Sequence, residues 1–252
     1  MGNWKMNLTL KEGVEFAESL RNNLKNKYEM VCGICPSFIF LKDICAAVKG
    51  SGIQVAAQNI HSSENGPYTG EVSVLMVKEV GCSHVLIGHS ERRHLFGETD
   101  AFINAKIKIA LSHNVKPILC VGEKLQERED GRTKYVVKNQ IKDGLHGIRA
   151  DQLKDVTIAY EPVWAIGTGK TALPEQANEV HTFIRTLLTD EYGKYVADDL
   201  PILYGGSVKH ENTQELLAKP DIDGLLVGGA SIKLESFLKI IEAVASLDKT
   251  FV

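Results

Sequence analysis

The chain has 252 residues, 44% hydrophobic and 24% charged, which is the balance of an ordinary globular protein that folds without disulfides or a structural metal. Its 29 basic and 32 acidic side chains leave a net charge of −3, which excludes binding to nucleic acid through a general excess of positive charge. No apolar run approaches the roughly 18 residues of a membrane span, and the first residues lack the pattern of a secretory signal, so we expect a cytoplasmic protein without membrane contact.

Short apolar runs alternate along the chain with longer amphipathic segments. Seven runs are nearly continuously apolar, as in strands buried on both faces of a parallel sheet: residues 30–34, 53–57, 84–87, 117–121, 156–160, 201–204 and 224–227. An eighth strand is predicted at residues 2–6, followed by a helix over residues 14–24. Eight strand–helix units without a linker predict a single α/β domain over residues 1–252, folded as a closed (β/α)₈ TIM barrel. An open doubly wound sheet has the same alternation and is the alternative.

Polar residues mark several predicted helix starts. Ser37, Asp100 and Ser231 each stand just before an amphipathic segment, where their side chains can bind free backbone N–H groups. Cys32 and Cys35 form a C-x-x-C pair within the second predicted strand, where they would point to opposite faces. We therefore interpret them as structural thiols rather than as a redox pair or metal ligands.

Polar or glycine-rich residues follow seven of the eight predicted strands, and in a barrel these ends share the rim where active sites lie. Glycine turns at residues 205–207 and 228–231 follow the last two strands and precede helices, so their N–H groups can bind a phosphate. The loop over residues 162–171 has an apolar middle between proline and small residues, which indicates a lid. Its end copies a nucleotide P-loop, but Trp164 occupies the position where that motif requires glycine, so we reject this alternative.

Four ionisable residues at the rim indicate acid–base chemistry. Glu161 is a candidate base, and His89 is a candidate electrophile or acid whose position before a helix start disfavours its protonated form. Lys5 adds a positive charge, with which Glu91 can pair. A carboxylate, a neutral imidazole and a cation beside a phosphate site suit proton transfer next to a carbonyl group through an enediolate.

Five segments in order resemble the triosephosphate isomerase family: GNWKMN (2–7), GHSERR (88–93), AYEPVWAIGTG (159–169), YGGSV (204–208) and VGGA (227–230). The resemblance implies interconversion of dihydroxyacetone phosphate and glyceraldehyde 3-phosphate, in glycolysis and gluconeogenesis, without a metal or organic cofactor. It implies that Glu161 moves the proton, that neutral His89 polarises the carbonyl, and that Asn3 and Lys5 hold the substrate. It also implies phosphate binding by the backbone at Gly167, Ser207, Gly228 and Gly229, with Glu91 and Cys120 in supporting positions.

The same family is homodimeric, and the loop at residues 66–70 resembles its dimer loop, with Thr69 expected near the partner's active site. Arg92, Arg93 and Glu98 fit the family's structural ion pairs better than its catalytic groups. A non-catalytic phosphate-binding barrel is the rival interpretation, and an isomerase of another sugar phosphate is a third.

Three features depart from the family pattern. Val74 and Leu234 stand where proline is customary at helix starts, and we expect small effects on stability. Family members also carry several apolar residues before the Gly-Asn-x-Lys segment, so we expect the first strand to be truncated at its N-terminal half. We expect a gap beneath it, unpaired backbone groups on its neighbours, and a true start upstream of Met1.

Overall fold

The computed structural model describes residues 1–24, 30–166 and 172–247, and all eight predicted strands fall within them. Strands β1 to β8 span Gly2–Asn3, Gly33–Cys35, Gln54–Ala57, His84–Ile87, Lys116–Val121, Thr157–Tyr160, Ile202–Tyr204 and Gly224–Leu225. Consecutive strands pair in parallel, and a parallel bridge between Gly2 and Val227 joins β8 to β1. The predicted closed barrel is therefore confirmed, and the open sheet is excluded.

Helices connect the strands and cover the barrel. Helices α1 to α11 span Leu10–Leu24, Leu41–Ala47, Val74–Glu79, Ser90–Leu95, Asp100–Ser112, Leu125–Glu129, Thr133–Gly144, Pro174–Tyr192, Lys194–Asp199, His210–Leu217 and Leu234–Ala245. Alternation along each strand divides the core into two layers. In β4, for example, Leu86 belongs to the small cluster inside the barrel, while Val85 and Ile87 pack toward the helices.

Several predicted boundaries are wrong by a few residues. Helix α1 begins four residues earlier than predicted, because Thr9 and Glu12 form reciprocal side-chain to backbone hydrogen bonds at its start. Thr99, not Asp100, caps α5, and Ser231 lies in a short 3₁₀ helix before α11. Ser37 precedes a 3₁₀ helix over Phe38–Phe40, but its side chain makes no capping bond.

The first strand is short, and a cavity of about 310 Å³ lies at the end of the barrel beneath it. Met1, Met30, Cys32 and Phe237 are among its lining residues, and the Met1 ammonium donates to the Leu225 carbonyl at 2.8 Å. This cavity agrees with the expected gap. The placement of the C-x-x-C pair within one buried strand needs correction, because Cys32 precedes β2 and is only partly buried. Both thiols are free.

Candidate active site

The carboxyl ends of the strands surround a cavity of about 580 Å³ that brings most of the predicted site residues together. The predicted residues that line it are Asn3, Lys5, His89, Glu161, Ser207, Gly228 and Gly229. Sequence reasoning missed Asn7, Lys209, Lys233 and Ser236, which also line it. Lys209 and Lys233 each stand two residues after a glycine turn, at residues 205–207 and 228–231. That spacing could have indicated that they lie near the cavity.

The end of β1 places Lys5 at the cavity in an unusual backbone conformation. Its φ angle is 51°, in the left-handed region that non-glycine residues rarely adopt. The Lys5 N–H donates to the Asn3 side chain at 3.0 Å, and the Lys5 carbonyl accepts from Gln58 at 2.8 Å and from Ser37 at 3.2 Å. Its ammonium bonds the Glu91 carboxylate at 2.7 Å, so the predicted pairing is present. These contacts fix a positive charge at the cavity wall.

His89 stands at the N-terminus of α4 with both ring nitrogens engaged. Nδ1 accepts the backbone N–H of Glu91 at 3.2 Å, while Nε2 lies 3.1 Å from Oε1 of Glu161. An N–H donor directed at Nδ1 requires a lone pair there, so this arrangement suits a neutral ring with its proton on Nε2. Nε2–H is then the donor that faces the cavity.

The pKa values of His89 and Glu161 move in opposite directions because the two side chains face each other. Burial has the largest single effect and lowers the pKa of His89, but the charge and the hydrogen bond of the Glu161 carboxylate, together with Glu91, raise it, so the net shift is upward. Burial raises the pKa of Glu161, but His89 and the Ser90 N–H lower it to below its ordinary value. The position of His89 before a helix start predicted that its imidazolium form is disfavoured, whereas the adjacent Glu161 carboxylate acts in the opposite direction.

The Glu161 carboxylate is almost completely buried and sits beside Gly205. Oε2 accepts the Ser90 N–H at 3.0 Å, and a methyl group on Gly205 would come within 2.9 Å of Glu161 Cγ. The Gly205 N–H donates to the Tyr160 carbonyl at 2.7 Å, so it is engaged within the barrel. Within the turn at residues 205–207 the Gly205 N–H is therefore already bonded and not available to an anion, and Gly205 makes room for the Glu161 side chain.

The remaining turn residues surround the opposite side of the cavity. Ser207 follows β7, while Gly228 and Gly229 begin the 3₁₀ helix region after β8. A methyl group on Gly229 would meet no atom within 4 Å, so its backbone faces open space. Ser231 donates to the Gly228 carbonyl at 2.7 Å and approaches the Asn3 carbonyl at 3.4 Å, which ties this turn to β1.

The described part of the predicted lid, residues 162–166, is anchored through Glu123. The buried Glu123 carboxylate accepts from Trp164 Nε1 at 2.9 Å and from the Tyr160 hydroxyl at 3.1 Å. Arg128 lies 3.3 Å from the same carboxylate and stacks on the Trp164 ring. The contacts of Glu123 are therefore structural, because they hold Trp164 of the lid against Tyr160 of β6. Gly167, predicted to bind phosphate, and the rest of the lid lie outside the described residues.

The other supporting residues lie away from the cavity surface. Cys120 is fully buried in the barrel, where burial raises the pKa of its thiol. Thr69 is exposed in a loop whose Tyr68 ring stacks on His61, and it does not line the cavity. Glu98 pairs with Arg92 and the buried Lys106, in accordance with a structural ion-pair region.

The described residues contain no group of three or more histidine, cysteine, aspartate or glutamate side chains placed to hold a metal ion. Across residues 1–24, 30–166 and 172–247, no helix is both long and apolar enough to cross a membrane.

Comparison with known proteins gives a consistent set of relatives. The family model described as triosephosphate isomerase matches residues 1–244. A triosephosphate isomerase of Carboxydothermus hydrogenoformans is 53% identical over 241 residues, covering 96% of each chain. One from Clostridium botulinum (strain Langeland) is 51% identical and covers 95% of this chain and 96% of its own. One from Chlorobaculum tepidum is 50% identical over 96% of this chain and 99% of its own.

Proposed function

The chain belongs to the triosephosphate isomerase family, and we propose that it catalyses that family's reaction with Glu161 as the base and His89 as the electrophile. It interconverts dihydroxyacetone phosphate and glyceraldehyde 3-phosphate in glycolysis, and the reverse direction serves gluconeogenesis. The observation that carries the assignment of roles is the convergence of three groups on one cavity. The Glu161 carboxylate, the His89 Nε2–H and the Lys5 ammonium all line it.

The proposed reaction moves one proton between neighbouring carbons. Glu161 removes the proton from the carbon next to the carbonyl, and the electron pair shifts toward the carbonyl oxygen. The His89 Nε2–H donates a hydrogen bond to that oxygen while Lys5 and Asn3 stabilise the developing enediolate charge. Glu161 then returns the proton to the adjacent carbon. The former carbonyl oxygen must also gain a proton and the former hydroxyl oxygen must lose one, and His89 can do both by giving its Nε2 proton to the first oxygen and taking the proton of the second. With this exchange between the oxygens the step balances.

The phosphate of the substrate is proposed to bind at the turns after β7 and β8. Ser207, Gly228 and Gly229 line that side of the cavity, and Lys209 and Lys233 add positive charge there. Backbone N–H groups at such turns bind anions well. This placement puts the triose carbons between the phosphate site and the His89–Glu161 pair.

A coupled assay with glyceraldehyde 3-phosphate tests this function. We expect isomerase activity that falls by about 10²- to 10⁴-fold in Glu161→Gln, because the amide cannot accept the proton. Activity no higher than that of the variant would contradict the proposal. Binding of a phosphate-bearing inhibitor without turnover would then favour the non-catalytic barrel, and turnover of a different sugar phosphate would favour another isomerase.

We also propose a homodimer, a single catalytic domain over residues 1–252, and a cytoplasmic location. The large side chains of Met6, Ile39, Met76 and Phe96 are exposed, and they lie in segments that follow the neighbouring strands β1, β2, β3 and β4. Large exposed apolar residues on neighbouring segments support an interface there. The continuous ring of strands supports one domain, and five unpaired cysteines suit a reducing compartment.

A further inference from the structure

The end of strand β5 is bound by a side-chain amide from the helix layer. The N–H of Gly122, the residue after β5, donates to Oε1 of Gln140 at 2.7 Å. The Gly122 carbonyl accepts from Nε2 of the same side chain at 3.2 Å. Gln140 is a buried residue of α7, and it thus satisfies both polar backbone groups of Gly122.

The amide of Gln140 takes the place of a missing strand partner. The backbone N–H and C=O groups of the even-numbered residues of β5 point toward β4, as the bond from the Lys116 N–H to the Ser83 carbonyl shows. The Val121 carbonyl points the other way, toward β6. Gly122 therefore faces the β4 side, but β4 ends at Ile87 and the chain turns away into α4. Without Gln140, the two polar groups of Gly122 would be buried at a position where no strand reaches them.

Gly122 and its neighbours hold the backbone of Glu161. A methyl group on Gly122 would lie 1.7 Å from the Glu161 carbonyl oxygen, so the two backbones are in direct contact and no side chain fits between them. On either side, the Val121 carbonyl accepts the Glu161 N–H at 2.7 Å, and the Glu123 carbonyl accepts the Val163 N–H at 3.1 Å. The position of residues 121–123 thus fixes the position from which the Glu161 side chain extends.

We propose that Gln140 is a positioning residue for the catalytic base, acting through Gly122 on the backbone of Glu161. This inference rests on the proposed function of Glu161. The base must reach a carbon in the cavity from a backbone that is fixed, and a shift of about 1 Å in a reacting group can reduce the rate by about 100-fold. Gln140 does not line the cavity, so its effect should fall on proton transfer rather than on phosphate binding.

The test compares Gln140→Met with a matched variant, Asn104→Leu. Methionine keeps the length of the side chain but removes both hydrogen bonds. Asn104 is also a buried amide with two backbone partners, the carbonyls of Gly144 and His146, and it lies on α5 away from Glu161. We expect kcat to fall by about 10- to 100-fold in Gln140→Met with little change in KM or in inhibition by inorganic phosphate. Asn104→Leu should lower the melting temperature while keeping kcat.

A third variant, Gln140→Glu, covers the case in which Gln140→Met fails to fold. A protonated glutamic acid can accept from the Gly122 N–H and donate to its carbonyl, whereas the carboxylate can only accept. Relative to the unsubstituted enzyme at each pH, we expect the kcat of Gln140→Glu to rise as pH falls. An unchanged kcat in Gln140→Met, an equal loss in Asn104→Leu, or a flat relative pH profile in Gln140→Glu would overturn the inference. An inactive unsubstituted chain would instead overturn the proposed function, and this inference with it.

Discussion

Lys5 holds its position at the cavity wall against a backbone preference. A non-glycine residue in the left-handed region costs about 1–3 kcal/mol, and the conformation persists only where the surroundings determine it. Here the surroundings are the Asn3, Ser37 and Gln58 side chains, which bond both polar backbone groups of Lys5. The same turn ends β1 after Asn3 and directs the Lys5 ammonium toward Glu91. The unfavourable backbone conformation of Lys5 is therefore the one that places its charge at the cavity.

The electrostatic balance between His89 and Glu161 leads to a prediction about a single residue. In Glu161→Gln, burial of the ring remains but the carboxylate that favours the imidazolium is gone, so the pKa of His89 should fall. A ¹⁵N NMR titration of the histidine side chains measures this directly. His84 serves as an internal control, since burial holds its pKa at about 4 and Glu161 is not among the charges that affect it. An unchanged or higher His89 pKa would contradict the proposed pairing.

At the scale of one helix, the start of α5 depends on Thr99. Its hydroxyl accepts the Phe102 N–H at 3.3 Å, which satisfies one of the free donors of the first turn. We expect Thr99→Ala to lower the free energy of unfolding by about 1 kcal/mol, while Thr99→Ser should lose much less. Urea denaturation at one protein concentration measures both variants. Equal losses in the two would show that the methyl group of Thr99, rather than the hydroxyl, supports the helix.

Which elements exist was predictable from sequence, whereas their ends depended on contacts that the sequence does not display. The apolar runs identified seven strands because parallel strands are buried on both faces, and residues 2–6 were predicted as the eighth. The apolar run at residues 30–34 nevertheless predicted a strand that begins too early. Residues 30–32 lie outside β2, and they have no paired residue on β1. Thr99 and Asp100 could each cap α5, and only the geometry of the first turn distinguishes them.

The site shows the same division between what a pattern can and cannot predict. Its charged residues follow strands, so topology alone predicted that Lys5, His89 and Glu161 would meet. The positions of Gly205 and Gln140 could not be predicted, because a glycine that makes room for a neighbour and one that binds an anion have the same sequence signature. Gln140 lies within an amphipathic helix, where nothing marks it as the partner of Gly122.

The whole molecule should lose stability as the solution becomes acidic, and His181 contributes to this loss. The ring is fully buried, and burial lowers its pKa from 6.5 to about 3. Below pH 6.5 the unfolded chain therefore binds a proton that the folded chain excludes, so the free energy of unfolding falls by up to about 1.4 kcal/mol per pH unit. His84 acts in the same direction, with a pKa of about 4.

Urea unfolding across this pH range, at fixed protein concentration, tests the contribution of His181. His181→Gln should flatten the pH dependence by up to the slope of one proton, whatever its effect on stability at neutral pH. His210→Gln changes an exposed histidine and serves as the matched control. An identical slope in His181→Gln and the unsubstituted protein would show that the buried ring is not the group that titrates.

Assembly is the last property that belongs to the whole molecule, and Met76 offers a direct test of the proposed dimer. Its side chain is 54% exposed in the single chain, so an aspartate there should cost the isolated subunit little. In a dimer the same carboxylate would lose its hydration within an apolar contact, which strongly disfavours association. We expect Met76→Asp to have the monomer mass in light scattering, while the unsubstituted chain has twice that mass.

Tyr195→Asp is the control for this test. It changes an aromatic residue that is 81% exposed on α9, away from the proposed interface, and it should stay dimeric. A monomeric unsubstituted chain, or a Met76→Asp variant that dimerises with undiminished affinity, would show that the apolar side chains near the rim are not the interface.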